Sequence, residues 1–333
     1  MPLQAAAVLR LSALFALGAF TLGARAQAPS ARPPIESFFA NPVLDVPVLS
    51  PNARFVAIRA GQPGQRDRLG VIDVATNKMS TVSFGNGDVG HIQWVNDTRL
   101  VFDTVDRKSA VGDREYAPGL YAIDRDGSNF VQLVDRAGEG GTVQTGSLIK
   151  SNKQLPWNTF LLSQVGRQDS DAIYVESRHY DSNDELSNVK LMHLNTRTLK
   201  AVALIGPPHT RRFLLDNDGE PRLAVTAAGD QDAIHLRDRA SGAWRQLGSF
   251  SAFKSQAGSF EPLAFGPDGK LFVESTGGKD KASVHTYDLA SGKISADAVI
   301  ETEGYDFTGD LVISNGKLLG MQVVTDAEGM VWI

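Results

Sequence analysis

The residues whose types and spacing best suit chemistry in this chain are arginines set beside carboxylates or aromatic rings. Arg114-Glu115-Tyr116 places a charged pair next to a phenol, a combination suited to recognising peptides. Arg211-Arg212 offers two guanidinium forks to a carboxylate, although the end of a surface strand explains the pair equally well. These five residues are the candidate substrate contacts. No catalytic residue is assigned. A hydrolase nucleophile on a strand-to-helix elbow needs Gly two residues before and two after the Ser. No serine here satisfies both; Ser314 has Gly316 after it but Val312 before it.

Metal chemistry finds little support. Asp124-Arg-Asp-Gly-Ser-Asn129, with Asp135 at the twelfth place, has the look of a calcium loop. An EF-hand needs Gly at its sixth place and Glu at its twelfth, where Asn129 and Asp135 stand, so the segment reads as a hairpin turn. His91, His179, His193, His209, His235 and His285 are scattered, with no two at ligand spacing on one element. His193 and His235 sit beside apolar neighbours and are expected to be hydrogen-bonded core or half-buried histidines. Neither a metal nor a cofactor is expected. With no cysteine, thiol catalysis, cysteine-ligated zinc and disulfides are excluded.

The elements that must carry these residues begin after a leader. Arg10, the apolar run Leu11 to Leu22 and the small-x-small site Ala24-Arg25-Ala26 form a secretory signal peptide over residues 1–26. Its 12 apolar residues are too few to span a bilayer, which takes about 20. Residues 27–34, rich in proline, read as a flexible leader. A periplasmic or secreted protein is expected, with no membrane insertion after cleavage. Loss of Arg10 and Arg25 takes the formal charge from -5 to -7, which argues against nucleic acid as a partner.

Residues 35–333 are written as a repeat. One pattern is an apolar residue, a turn of Ser, Pro, Asn, Asp or Gly, then a short strand: Leu49–Ile58, Trp94–Phe102, Leu215–Val225 and Phe265–Val273. It alternates with a strand that runs into a polar turn, centred on Asp73, Asp124, Asn195, Asp238 and Asp288. The turn residues accept positive φ or preset a corner, and the flanks alternate β-branched or aromatic residues with polar ones. Spacings of 51, 71, 43 and 50 residues between these Asp and Asn markers suit propeller blades, one of them lengthened by an insertion. The expected fold is all-β: a β-propeller of four-stranded antiparallel blades at 46–88, 89–137, 150–208, 209–250 and 256–306. A partial sixth from Asp310 has room for about two strands, so the chain reads as truncated within that blade. The charge-rich stretches Asp103–Lys108, Asp113–Glu115 and Asp181–Glu185 are expected as solvated loops, or as loops at one mouth of the propeller that touch a peptide.

Ile35-Glu-Ser-Phe-Phe-Ala-Asn-Pro42, Val48–Ala57, Gly90–Val101 and Gly119–Ser128 together resemble the N-terminal propeller of bacterial prolyl oligopeptidase family serine peptidases, which include dipeptidyl-peptidase and acylaminoacyl-peptidase branches. The resemblance implies a ring of seven or more blades over an α/β-hydrolase domain, with the propeller filtering which peptides reach it. The catalytic domain of that family lies C-terminal to the propeller, and its nucleophile motif is missing from these residues. The resemblance therefore implies a non-catalytic gating propeller, inactive alone, whose partner is a peptide or a hydrolase domain supplied elsewhere. The alternative is a stand-alone periplasmic propeller that binds a protein or a small ligand.

Overall fold

The computed structural model describes residues 33–35, 43–62, 64–84, 87–109, 118–136, 154–163, 166, 168–253, 258–314 and 317–333. Residues 1–26, read as a signal peptide, and nearly all of residues 27–34 lie outside them, as do Arg114, Glu115 and Tyr116. Contacts divide the chain into Met1–Asn41 and Pro42–Ile333, and all the described strands belong to the second unit.

Six antiparallel sheets follow one another along that unit. The first orders β1 (Leu44–Leu49), β2 (Phe55–Ala60), β3 (Arg68–Asp73) and β4 (Lys78–Val82). The second orders β5 (Asp88–Asn96), β6 (Arg99–Val105), β7 (Leu120–Asp124) and β8 (Val131–Val134). The third contains β9 (Thr159–Leu161), β10 (Ala172–Tyr180), β11 (Leu186–Asn195) and β12 (Ala201–Ala203). The fourth contains β13 (Thr210–Leu215), β14 (Pro221–Ala228), β15 (Gln231–Arg237) and β16 (Trp244–Ser251). The fifth contains β17 (Glu261–Phe265), β18 (Leu271–Ser275), β19 (Ser283–Asp288) and β20 (Lys293–Ile294). The sixth has β21 (Leu311–Ser314), β22 (Lys317–Val324) and β23 (Glu328–Trp332). The fold is a six-bladed β-propeller. The sixth blade corrects the expectation of about two strands: Glu328–Trp332 adds a third, pairing antiparallel with β22 through Met321 with Val331 and Val323 with Gly329 after the turn at Thr325–Ala327.

The acidic markers explain why the repeat is legible. Oδ1 of Asp73 accepts the N–H groups of Ala75 and Thr76, and Asn195, Asp238 and Asp288 repeat the arrangement with the residues two and three places on. The fourth residue after each marker has positive φ and donates its N–H back to the marker's carbonyl: Asn77, Leu199, Gly242 and Gly292. An Asx turn followed by a left-handed residue reverses the third strand into the fourth. Asp124 departs from the pattern, since its carboxylate is taken by Arg99, Asn129 and Arg197.

Burial is organised between neighbouring blades. Five apolar clusters fill the five successive interfaces, among them Phe55, Leu69, Trp94 and Tyr121 between the first two sheets, and Val189, Leu191, Phe213 and Ala224 between the third and fourth. First strands mediate these contacts, with β5 against β1 and β13 against both β11 and β17, which places them innermost.

Candidate functional site

Each sheet has two ends. One carries the first-to-second and third-to-fourth turns, where the acidic markers sit. The other carries the second-to-third turns and the loops that lead into each first strand, and in the first two blades a network of charges gathers there.

In the first two blades this charge is laced shut. Arg59 pairs with Asp45, and Arg107 lies 3.0 Å from Asp67 and 3.6 Å from Asp45. Arg66 reaches Asp88 at 2.9 Å and Asp106 at 2.5 Å. Asp88 also accepts the N–H groups of Asp67 and Arg107. Burial acts to raise the Asp88 carboxyl, but those two N–H groups and the Arg66 guanidinium together hold it below its ordinary value. The Arg66 guanidinium likewise holds Asp106 low. Asp103, expected in a solvated loop, instead lies in β6. Burial pushes its carboxyl up, and Oδ1 accepts the His91 N–H at 2.7 Å against the bare backbone of Gly90. The strand alternation carries it into the blade, which is why a loop reading failed.

The third, fourth and fifth blades also carry charges of both signs on their first and second strands. Arg211 and Arg212 open the innermost strand β13, half-buried, not free on a surface. Arg212 pairs with Glu261 and donates from Nη2 to the Pro262 carbonyl at 2.9 Å, bridging the fourth and fifth sheets. Arg211 keeps Nη1 buried and without a hydrogen-bond partner among the described residues. Across the third-to-fourth interface, Glu176 of β10 is 8% exposed. Burial drives its carboxyl up, while Arg178, the Phe213 N–H and Arg212 pull it down; its Oε1 has no partner among the described residues. Arg178 lies 4.4 Å over the Phe160 ring. Glu274 of β18 is raised by burial and by Glu261 and Asp306. Three guanidinium groups and three carboxylates thus lie on three consecutive blades, and the buried Glu176 and the half-buried Arg211 each keep one polar atom without a hydrogen-bond partner among the described residues.

Sequence reasoning named Arg211 and Arg212 and did not name Glu176, Arg178, Glu261 and Glu274, which lie near them. Glu176 carried a signal: Tyr174, Glu176 and Arg178 share one face of β10, the face whose cross-strand neighbours Leu191 and Val189 belong to the apolar core. A charge at such a position asks for a reason.

The histidines divide otherwise than expected. His235 is half-buried, with Nε2 3.1 Å from Thr226 Oγ1, and burial lowers its pKa. His193 is exposed, its ring 4.8 Å from that of Tyr174, which corrects the buried reading. His285 is the core histidine: Nδ1 faces the Ser295 carbonyl at 2.9 Å and Nε2 faces Ser283 Oγ at 2.9 Å. The network assigns the proton to Nδ1, so Nε2 accepts from Ser283. At 1% exposure Ser283 is a structural hydroxyl with no access for a substrate. Among the described residues no group of three or more potential metal ligands converges. Asp126 caps its own turn through Ser128, as a hairpin reading requires. At the marker end, a polar cleft of about 400 Å³ is lined by Gln168, Asp169, Tyr174, His193 and Glu220 among others, with the Tyr174 hydroxyl 3.1 Å from Glu220.

No protein-family model matches the chain, and no curated protein matches it. Solved structures do. An oligogalacturonate lyase in complex with manganese superposes with TM-score 0.52 at 12% identity, over 88% of this chain and 78% of that one. The β-propeller domain of the Trilobed protease from Pyrococcus furiosus gives 0.49 at 11% identity, over 86% and 81%. Acylaminoacyl peptidase from Pyrococcus horikoshii gives 0.48 at 11% identity, over 87% of this chain and 45% of the peptidase. At 12% identity the first likeness establishes the propeller fold and no chemistry.

Proposed function

We propose that this chain is the substrate-selecting propeller of an exported peptidase of the prolyl oligopeptidase type, with hydrolysis carried out by a catalytic domain outside these residues. The observation that carries this reading is the mixed-sign cluster of Arg178, Arg211, Arg212, Glu176, Glu261 and Glu274 on the first and second strands of the third, fourth and fifth blades. A peptide has a carboxylate at one terminus and an ammonium at the other, and a rim with both signs of charge discriminates by the position of each. Guanidinium forks bind the carboxylate in bidentate fashion. The propeller motifs of the sequence and the signal peptide support the family and the export to the periplasm or beyond.

Calorimetric titration of the purified chain with a short peptide, with and without C-terminal amidation, tests it. The free-acid peptide should bind, and amidation or the double change Arg211→Ala/Arg212→Ala should weaken binding about tenfold or more, as for lost charge-assisted hydrogen bonds. Equal affinity for both peptides, or none for either, overturns peptide selection by this rim. Tight binding of a protein or an unrelated small molecule in place of peptides would favour an independent binding module.

A further inference from the structure

Two arginines hold the same place in the repeat and meet different surroundings. Arg99 of β6 precedes Leu100, which pairs with Trp94 on one side and Ile123 on the other. Arg222 of β14 precedes Leu223, which pairs with Leu214 and Leu236 in the same way. Both therefore stand near the start of a second strand, at the marker end of their blades.

Arg99 has a partner for each arm. Nη1 donates to the Asp124 carboxylate at 2.8 Å, and Nε and Nη2 reach the hydroxyl and carbonyl of Thr196, the residue after the marker of the next blade. For Arg222 the residue after the marker of the next blade is Leu289, which has no hydroxyl, and the Leu289 carbonyl accepts from Nη2 of Arg245 at 3.0 Å. Asp238, the marker of its own blade, uses Oδ1 for the N–H groups of Ala240 and Ser241 and the Ser241 hydroxyl. Asp216, a buried acid of the turn before β14, pairs with Arg239 at 2.7 Å. Among the described residues the Arg222 side chain thus has no ion pair and no hydrogen bond, and its Nη1 is buried. Burial and the nearby Arg239 push its pKa down, against the pull of Asp216 and Asp238.

Arg222 borders a cleft of about 390 Å³ between the fourth and fifth blades, a size within the roughly 300–1,000 Å³ of small-molecule sites. Its charged lining is Arg222, Arg239, Asp216 and Asp218, and its apolar lining is Phe265, Pro267 and Leu289. We propose that this cleft binds a small carboxylic acid. The ligand's carboxylate takes beside Arg222 the part that Asp124 takes beside Arg99, and its apolar body lies against Phe265, Pro267 and Leu289. A guanidinium fork matches a carboxylate in bidentate fashion. Asp216 and Asp218, both held by Arg239, leave negative charge at the wall, which repels the second charge of a phosphate dianion. The cleft begins where β13 ends at Leu215, whereas Arg211 and Arg212 open that strand, so this site is separate from the peptide contacts proposed above.

Ligand-observed NMR titration of the purified chain with hexanoate and phenylacetate, each against its amide, tests the proposal. Each acid should bind about tenfold or more tightly than its amide, as for a charge-assisted bidentate bond. Arg222→Gln should remove that difference and, having no native partner to lose, should leave the melting temperature undiminished. Arg222→Lys keeps the charge without the fork and should retain part of the preference. Leu289→Glu, which brings a carboxylate of the chain itself into the cleft, should block both acids while the chain still melts cooperatively. Binding of neither acid, equal affinity for acid and amide, an acid preference that survives Arg222→Gln, or a melting temperature lowered by Arg222→Gln would each overturn it.

Discussion

Arg99 and Thr196 are 97 residues apart in sequence and are joined by two hydrogen bonds from one guanidinium, Nε to the hydroxyl at 2.8 Å and Nη2 to the carbonyl at 2.9 Å. The third arm, Nη1, meets Asp124 at 2.8 Å. Arg99 is 1% exposed, so a buried cation ties the second blade to the third. Its removal leaves Asp124 and Thr196 short of partners.

Arg99→Met is expected to lower unfolding free energy by about 3 kcal/mol or more, as for a broken buried pair. Thr196→Val, which removes only the hydroxyl, should cost about 1 kcal/mol. Urea denaturation of both single variants and the double variant measures the coupling. Additive losses would mean that the two residues do not share this bond.

Glu176 makes stability depend on pH in a definite direction. Burial holds its folded pKa above the ordinary 4.5, so the folded state binds the proton more tightly than the unfolded chain does. The associated stabilisation is complete below about 4.5 and is lost as pH rises through the folded value. Glu176→Gln stays neutral and keeps an oxygen for the Phe213 N–H. Its melting temperature should exceed that of the unaltered chain at pH 7 and approach it at pH 4. The same offset at both values would contradict the assignment.

Gly90 is required by Asp103. A Cβ at Gly90 would stand 2.2 Å from Asp103 Oδ1, within the space of the carboxylate that accepts the His91 N–H. Gly90→Ala should cost about 1–3 kcal/mol through displacement of that group. Adding Asp103→Ala should cost less in the Gly90→Ala background than alone, and chemical denaturation of the cycle reads the difference.

The acidic turn markers should behave as independent fasteners. Asp238→Ala and Asp288→Ala each remove an acceptor that holds two turn N–H groups, and each should lower the melting temperature. Asn at either position retains the acceptor and should recover most of the loss. A melting temperature unchanged by Asp238→Ala would show that the left-handed Gly242 alone sets the turn.

The fold was legible because its determinants are local. Asp73, Asn195, Asp238 and Asp288 act on N–H groups two and three residues away, so one stretch of sequence contains both partners of each bond. Alternation in β2, β6, β14 and β18 then fixes which residues face the neighbouring blade. The third strand of the last blade, Glu328–Trp332, was not expected from the sequence, and neither was the mixed-sign rim. Glu176 feels the charge of Arg212 only where the third blade packs on the fourth, and Arg212 pairs with Glu261 only where the fourth packs on the fifth. Strand period assigns a residue to a face of its own sheet, and so the sequence by itself determined the blades, their order and their turns. Which charge on one blade stands against which charge on the next depends on the stagger and twist of packed sheets, and only the tertiary structure decided that.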